Sequence, residues 1–184
     1  APDYVLVDRS REQELIEALI GEIRRMYTSA PLASEDLPKI VNQRHFQRLV
    51  GLLSSGSVAF GAQIDPAERK ISPTILTDVE WDSPVMQEEI FGPIIPMQPF
   101  KTLDEAIEKA NNTIYGLSSY FFGHNAKEIS KAFEGMEAGE IFINGSGGTE
   151  QVPHAGVKQS GVGCDKSPWS LEEYFDFKYC AMIP

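Results

Sequence analysis

Cysteine is scarce in this sequence: Cys164 and Cys180 are the only two in 184 residues. They form no C-x-x-C pair and are too few for a disulfide framework, which fits a reducing compartment and makes the cytoplasm the expected location. No run of apolar residues approaches the roughly 20 needed to cross a bilayer, so no membrane partner is expected. Basic residues are outnumbered, 16 Lys and Arg against 27 Asp and Glu, for a formal net charge of -11. That balance repels a phosphate backbone, and no basic cluster with interleaved aromatics offsets it, which argues against a nucleic-acid partner. Histidine occurs at positions 45, 124 and 154 only, scattered without ligand spacing, and no metal site is expected.

What is present is an ordinary globular composition, 42% hydrophobic and 23% charged, in a chain the size of one domain. One core, or one core with a terminal extension, is expected. Residues 4–7 read as a short buried strand. Ser10-Arg11-Glu12-Gln13 then reads as a capping box opening a helix with Leu15, Ile16, Leu19, Ile20, Ile23 and Met26 on its apolar face. After a proline-containing loop, Asn42 is placed to cap a second helix that carries Phe46, Leu49, Val50 and Leu53, and Gly56 ends it. Residues 57–60 and 71–76 are strand-like, and residues 94–97 make a further strand that Pro96 predicts to be an edge or bulged one. Thr102-Leu103-Asp104-Glu105 is a second capping box, whose helix buries Leu103, Ala106, Ile107 and Ala110 and ends at Asn111-Asn112. Residues 117–122, 126–133 and 140–143 read as strand, helix and strand. Residues 145–148 and 156–163 read as loops, and residues 174–183 as a terminal strand. Helices alternating with strands predict an α/β layered fold, a largely parallel sheet flanked by helices, with a C-terminal strand extension.

The most informative stretch is Met86-Gln87-Glu88-Glu89-Ile90-Phe91-Gly92-Pro93. An isolated Glu-Glu pair is usually a solvated turn and an aromatic beside it usually core. Here the stretch follows Ser72-Pro73-Thr74-Ile75-Leu76-Thr77, and together they resemble the signature of the aldehyde dehydrogenase superfamily. Asn42-Gln43-Arg44-His45-Phe46-Gln47-Arg48 resembles its class 3 branch. Tyr115-Gly116-Leu117-Ser118, Gly139-Glu140-Ile141-Phe142-Ile143-Asn144, and Ser170-Leu171-Glu172-Glu173-Tyr174 with Lys178 extend the likeness over essentially the whole chain. The resemblance implies NAD or NADP as cofactor. It assigns Glu89 to the nicotinamide ribose hydroxyls, whose vicinal pair a carboxylate can accept, and Phe91 to the face of the nicotinamide ring.

Two positions are expected on the substrate side, Asn144 and His154. Asn144 ends a strand, where its side chain either fixes a turn through nearby backbone or contacts substrate. Pro153-His154-Ala155-Gly156-Val157-Lys158-Gln159-Ser160-Gly161-Val162-Gly163 matches the family's P-F-G-G-x-K-x-S-G-x-G with two departures. His154 stands in place of an aromatic that commonly lines the aldehyde tunnel, and Ala155 in place of a glycine. His154 therefore either makes the tunnel more polar or is a loop histidine bonded to backbone. The family's closing segment implies that residues 174–184 form an oligomerisation strand, so a homo-oligomer, dimer or tetramer, is the expected assembly.

The implied chemistry oxidises a small-molecule aldehyde to a carboxylic acid through a thiohemiacetal and a thioester. It needs a thiolate, oxyanion donors and a glutamate that activates water. Neither Cys164 nor Cys180 has the family's surroundings for the nucleophile. The motif G-Q-x-C-x-A-P-D-Y would place that cysteine just before Ala1-Pro2-Asp3-Tyr4, and the general-base glutamate and the cofactor domain also precede it in the family. No catalytic residue is therefore assigned within residues 1–184. The chain is expected to be the carboxy-terminal portion of the catalytic domain and to oxidise no aldehyde alone. The alternative is a truncated, catalytically dead homologue acting in subunit assembly.

Overall fold

The computed structural model describes residues 2–146, 152–161, 163–172 and 174–175. The packing divides the chain into two compact units, Ala1–Lys101 and Thr102–Pro184.

The first unit is a four-stranded sheet between two helices. Strand β1 (Val5–Asp8) leads to helix α1 (Glu12–Tyr27) and helix α2 (Gln43–Leu52). Strands β2 (Ser57–Phe60), β3 (Ile64–Asp65), β4 (Lys70–Ile71) and β5 (Thr74–Thr77), the short helix α3 (Pro84–Gln87) and strand β6 (Ile94–Phe100) follow. The sheet order is β1-β6-β5-β2, parallel except where β2 runs antiparallel to β5. Successive residues of a strand face opposite sides. Ile75 and Met97 accordingly meet Ile16, Leu19, Ile20 and Ile23 of α1 on one face. Leu76 and Ile94 meet Phe46, Leu49 and Leu52 of α2 on the other, where Val85 and Ile90 complete the cluster. Each such side chain contributes about 1.5–3 kcal/mol on burial.

Several expectations are corrected. Asp8, not Ser10, caps the entry to α1. Its carboxylate accepts from the Ser10 backbone N–H at 2.8 Å and starts a short 3-10 turn over Arg9–Arg11, and the residue preceding α1 makes no side-chain cap. Met26, expected on the apolar face of α1, is exposed. The apolar run at 71–76 is two strands, because the Ser72 backbone N–H and hydroxyl both bond to Gln63 before the chain enters β5. Pro96 lies in a central strand. The β5 ladder ends at Leu76 opposite Pro96 and the β1 ladder begins at Val5 opposite Met97, so the missing donor falls where β6 passes from one partner to the next.

In the second unit, helix α4 (Leu103–Asn111) is capped by Thr102, whose hydroxyl accepts from the Glu105 N–H at 3.2 Å. Strand β7 (Tyr115–Gly116) precedes β8 (Ser118–Phe121), which pairs in parallel with β9 (Glu140–Ile143) across helix α5 (Ala126–Gly135). Residues 157–158, expected in a loop, form strand β10 (Val157–Lys158) antiparallel to β7. Helix α6 is Ser167–Glu172. The expected strand at 174–183 lies, apart from Tyr174 and Phe175, outside the described residues, as do Cys180, Lys178 and residues 147–151 of the glycine-rich loop.

Candidate functional site

The stretch containing Glu89 and Phe91 is the turn between α3 and β6, held against the N-terminal half of α2. Asn42 begins α2 by accepting the His45 N–H at 2.8 Å, and helical spacing then puts His45 and Arg48 on one face. Both reach the turn. His45 Nε2 donates to the Phe91 carbonyl at 2.8 Å, and since a carbonyl can only accept, that nitrogen carries the hydrogen. His45 Nδ1 is then left to accept from Arg48 Nε, at 3.3 Å. The Arg48 guanidinium also donates to the Ile90 carbonyl and pairs with the Glu88 carboxylate at 2.8 Å.

The turn is anchored from other directions as well. Asp3 accepts the Ile90 N–H at 3.1 Å, and burial pushes the Asp3 carboxyl above its ordinary value, an effect partly opposed by that hydrogen bond. Ile90 is buried in the α2 cluster, and the Pro93 carbonyl accepts from the Thr74 N–H at 2.8 Å as β6 begins. Gly92 passes so close to α2 that a Cβ there would stand 2.5 Å from a Leu49 methyl carbon. Phe91, between these anchors, takes a positive φ of 49°, which favours glycine and is uncommon for a large side chain, and the residue is 73% exposed.

The result is an open cleft of about 590 Å³, walled by Val41, Asn42, Arg44, His45 and Arg48 on one side and by Glu89 and Phe91 on the other. The two acidic residues of the turn differ sharply. Glu88 is paired by Arg48, whereas the exposed Glu89 makes no hydrogen bond or ion pair among the described residues. Its two oxygens remain open to a ligand on the cleft wall.

The other expected site residues lie in the second unit. Asn144, at φ 52°, accepts from the Gly123 N–H at 2.8 Å and donates to the Gly123 carbonyl at 2.7 Å, so both ends of its amide are engaged with backbone. His154 bridges to Asp165 through paired backbone bonds of 2.7 and 2.8 Å. Its Nδ1 meets Glu140 Oε2 at 2.8 Å, and the same oxygen accepts from the Ser118 hydroxyl at 2.9 Å. Glu140 and Ser118 were not singled out from the sequence, nor were Asp3, His45 and Arg48 as individuals. The cap at Asn42 carried a usable signal for the last two, because it fixes which residues of α2 share a face. Among the described residues no group of three or more His, Cys, Asp and Glu could hold a metal ion. No helix among them is long and apolar enough to cross a membrane.

Comparison with known proteins places this geometry. The aldehyde dehydrogenase family model matches residues 1–180. The chain belongs to the aldehyde dehydrogenase family. Mouse aldehyde dehydrogenase family 3 member B2 is 39% identical over 190 residues, which cover 99% of this chain and 39% of the mouse protein. A bovine relative, described as a dimeric, NADP-preferring aldehyde dehydrogenase, is 37% identical over all of this chain and 78% of its own length. The solved Staphylococcus aureus AldH, in a substrate-bound state, superposes with a TM-score of 0.88 at 34% identity and covers 100% of this chain, which spans 42% of it. A P. syringae indole-3-acetaldehyde dehydrogenase in complex with NAD+ superposes at 0.86 with 28% identity, covering 97% of this chain and 38% of its own. The chain thus spans about two fifths of the length of the mouse protein and of these two solved structures, and its α/β fold with a largely parallel sheet is that of the family.

Proposed function

We propose that this chain is the part of an NAD(P)-dependent aldehyde dehydrogenase that grips the nicotinamide end of the dinucleotide. Glu89 accepts the ribose hydroxyls, and Phe91 covers one face of the ring. The observation that carries the reading is the contrast between Glu88 and Glu89: Arg48 pairs with the first, and the second faces the cleft with its acceptor oxygens unengaged among the described residues. Hydrogen bonds to a charged acceptor are worth about 1.5–3 kcal/mol, enough to fix the ribose and with it the ring's orientation. The exposed Phe91 ring supplies an apolar surface that excludes water from that side. When bound, the nicotinamide supplies the hydride acceptor.

The nucleophile of the reaction is assigned to neither Cys164 nor Cys180. Cys164 donates through Sγ to the Asp165 carbonyl at 3.5 Å. On this reading residues 1–184 alone oxidise no aldehyde. Asn144 and His154 act on the substrate side by holding loop backbone, through Gly123 and through the Glu140 and Asp165 contacts, and residues 174–184 contribute to subunit assembly.

The test is dinucleotide binding to the full-length gene product, titrated separately with NAD and NADP. Glu89→Gln keeps the size but removes the charge and replaces one acceptor oxygen with an NH2 donor, and is expected to raise Kd at least tenfold, matching a loss of about 1.4 kcal/mol. An unchanged Kd for both dinucleotides overturns the reading.

A further inference from the structure

Glu89 and Phe91 themselves do not explain why their turn holds its shape. Phe91 sits at φ 49°, in a conformation that a large side chain adopts only when its surroundings impose it. The constraints on its cleft side come from α2. His45 Nε2 holds the carbonyl of Phe91, and Arg48 holds the carbonyl of Ile90 and the carboxylate of Glu88. The Arg48 Nε bond to His45 Nδ1 links the two side chains, and it also fixes the His45 tautomer that lets Nε2 donate.

We infer that His45 and Arg48 are positioning residues, a linked clamp that sets the backbone on both sides of Ile90 and so aims Glu89 and Phe91 into the cleft. The inference rests on the cofactor-gripping reading of Glu89. Its chemistry follows from the donors available. Arg48 presents a planar fork that donates to a ring nitrogen through Nε and to a carbonyl through Nη2 while Nη1 ion-pairs with a carboxylate. By pairing with Glu88 it also engages the acidic residue that does not face the cleft. A lysine has the charge but not the fork, so it can keep the Glu88 pair and cannot keep all three contacts. Glutamine at position 45 can still donate to Phe91, whereas alanine cannot.

The test uses the full-length gene product carrying His45→Ala, His45→Gln, Arg48→Met or Arg48→Lys, with Glu89→Gln alone and combined with Arg48→Met. Amide hydrogen exchange of the peptide spanning residues 84–93 reads the turn directly, and titration with NAD and NADP reads its consequence. Exchange in that peptide is expected to rise in His45→Ala and Arg48→Met while the α1 peptides stay protected. Kd is expected to rise about tenfold in both variants, consistent with loss of a hydrogen bond to a charged or aligned partner. His45→Gln is expected to restore most of the affinity and Arg48→Lys only part of it. Because the clamp acts through Glu89, Arg48→Met combined with Glu89→Gln is expected to bind no worse than about the weaker single variant. Unchanged exchange overturns the clamp. Raised exchange with unchanged Kd, in a protein where Glu89→Gln does weaken binding, overturns its positioning role, as does full additivity in the double variant. If Glu89→Gln itself leaves Kd unchanged, the cofactor reading falls, and the positioning role falls with it.

Discussion

Replacing Gly92 with alanine tests the packing of the turn most sharply. The added methyl would lie 2.5 Å from Leu49 Cδ2 and 2.6 Å from Cδ1, more than about 1 Å inside ordinary carbon contact. Leu49 is fully buried in the cluster that includes Phe46, Leu52, Leu76 and Val85, and close packing of such a core resists movement of its isopropyl group. Gly92 itself is held on one side by Phe91, gripped by His45, and on the other by Pro93, bonded to Thr74. Overpacking of this kind costs about 1–3 kcal/mol. Urea unfolding should therefore show a lower midpoint at unchanged m-value. Removing bulk from the opposing side chain should relieve the clash, so Gly92→Ala combined with Leu49→Ala should lose less than the sum of the two single losses. A wild-type midpoint for Gly92→Ala, or strict additivity in the double variant, would refute the close approach of turn and helix.

Other perturbations follow from the same contacts. Asn42→Ala removes the acceptor for the His45 N–H and should lower stability by about 1 kcal/mol in thermal unfolding, with Asn42→Asp recovering most of it. Asp3→Asn keeps an acceptor for the Ile90 N–H but cannot ionise. Because burial raises the Asp3 carboxyl above 3.8 in the folded protein, the native state holds its proton longer than the unfolded chain. The wild type should therefore lose stability relative to Asp3→Asn as pH rises from about 4 through the raised value, and the gap should stay constant at higher pH; a gap that closes as pH rises would contradict the assignment. His154→Phe leaves Glu140 with Ser118 as its remaining side-chain partner in this cluster. It should lower thermal stability by about 0.5–1.5 kcal/mol, and in the full-length gene product it should shift kcat/KM toward apolar aldehydes; an unchanged melting temperature would mean the Glu140 contact holds nothing.

The readable parts of the fold were those in which a local rule and the tertiary structure agree. Asn42 and Thr102 cap the helices they were expected to cap, because an exposed side chain bonding an N–H three residues on depends on little else. Ser10 misled for the same reason in reverse. Asp8, two residues earlier, bonds both the N–H and the hydroxyl of Ser10, and an ionised acceptor displaces a hydroxyl one. Pro96 was misjudged because proline forbids a ladder donor but not a central strand, and only the register shows that its two neighbours hand over there. Strand β10 was missed because two residues, Val157 and Lys158, carry no periodicity; their pairing with β7 is visible only once the chain has folded back. Gly139 belongs to a legible motif, yet its reason is long-range, since a Cβ there would collide with the Ala155 carbonyl. At the site, the identities of Glu89 and Phe91 stood out from their motif. The clamp did not, because it joins residues more than forty positions apart through two backbone carbonyls that no side-chain pattern encodes.

The central claim is that Glu89 orients the nicotinamide for aldehyde oxidation. The most direct measurement is reduction of NAD and of NADP by the full-length gene product with a panel of aldehydes, comparing wild type with Glu89→Gln by single turnover at saturating dinucleotide and by steady-state turnover across a range of dinucleotide concentrations. The wild type should be active, and the variant should be slowed at least tenfold in the hydride-transfer phase or raised at least tenfold in KM for the dinucleotide, about 1.4 kcal/mol or more of lost orientation or binding. Equal rates and equal KM in both proteins, or no reduction by the wild type with any aldehyde tested, would contradict it.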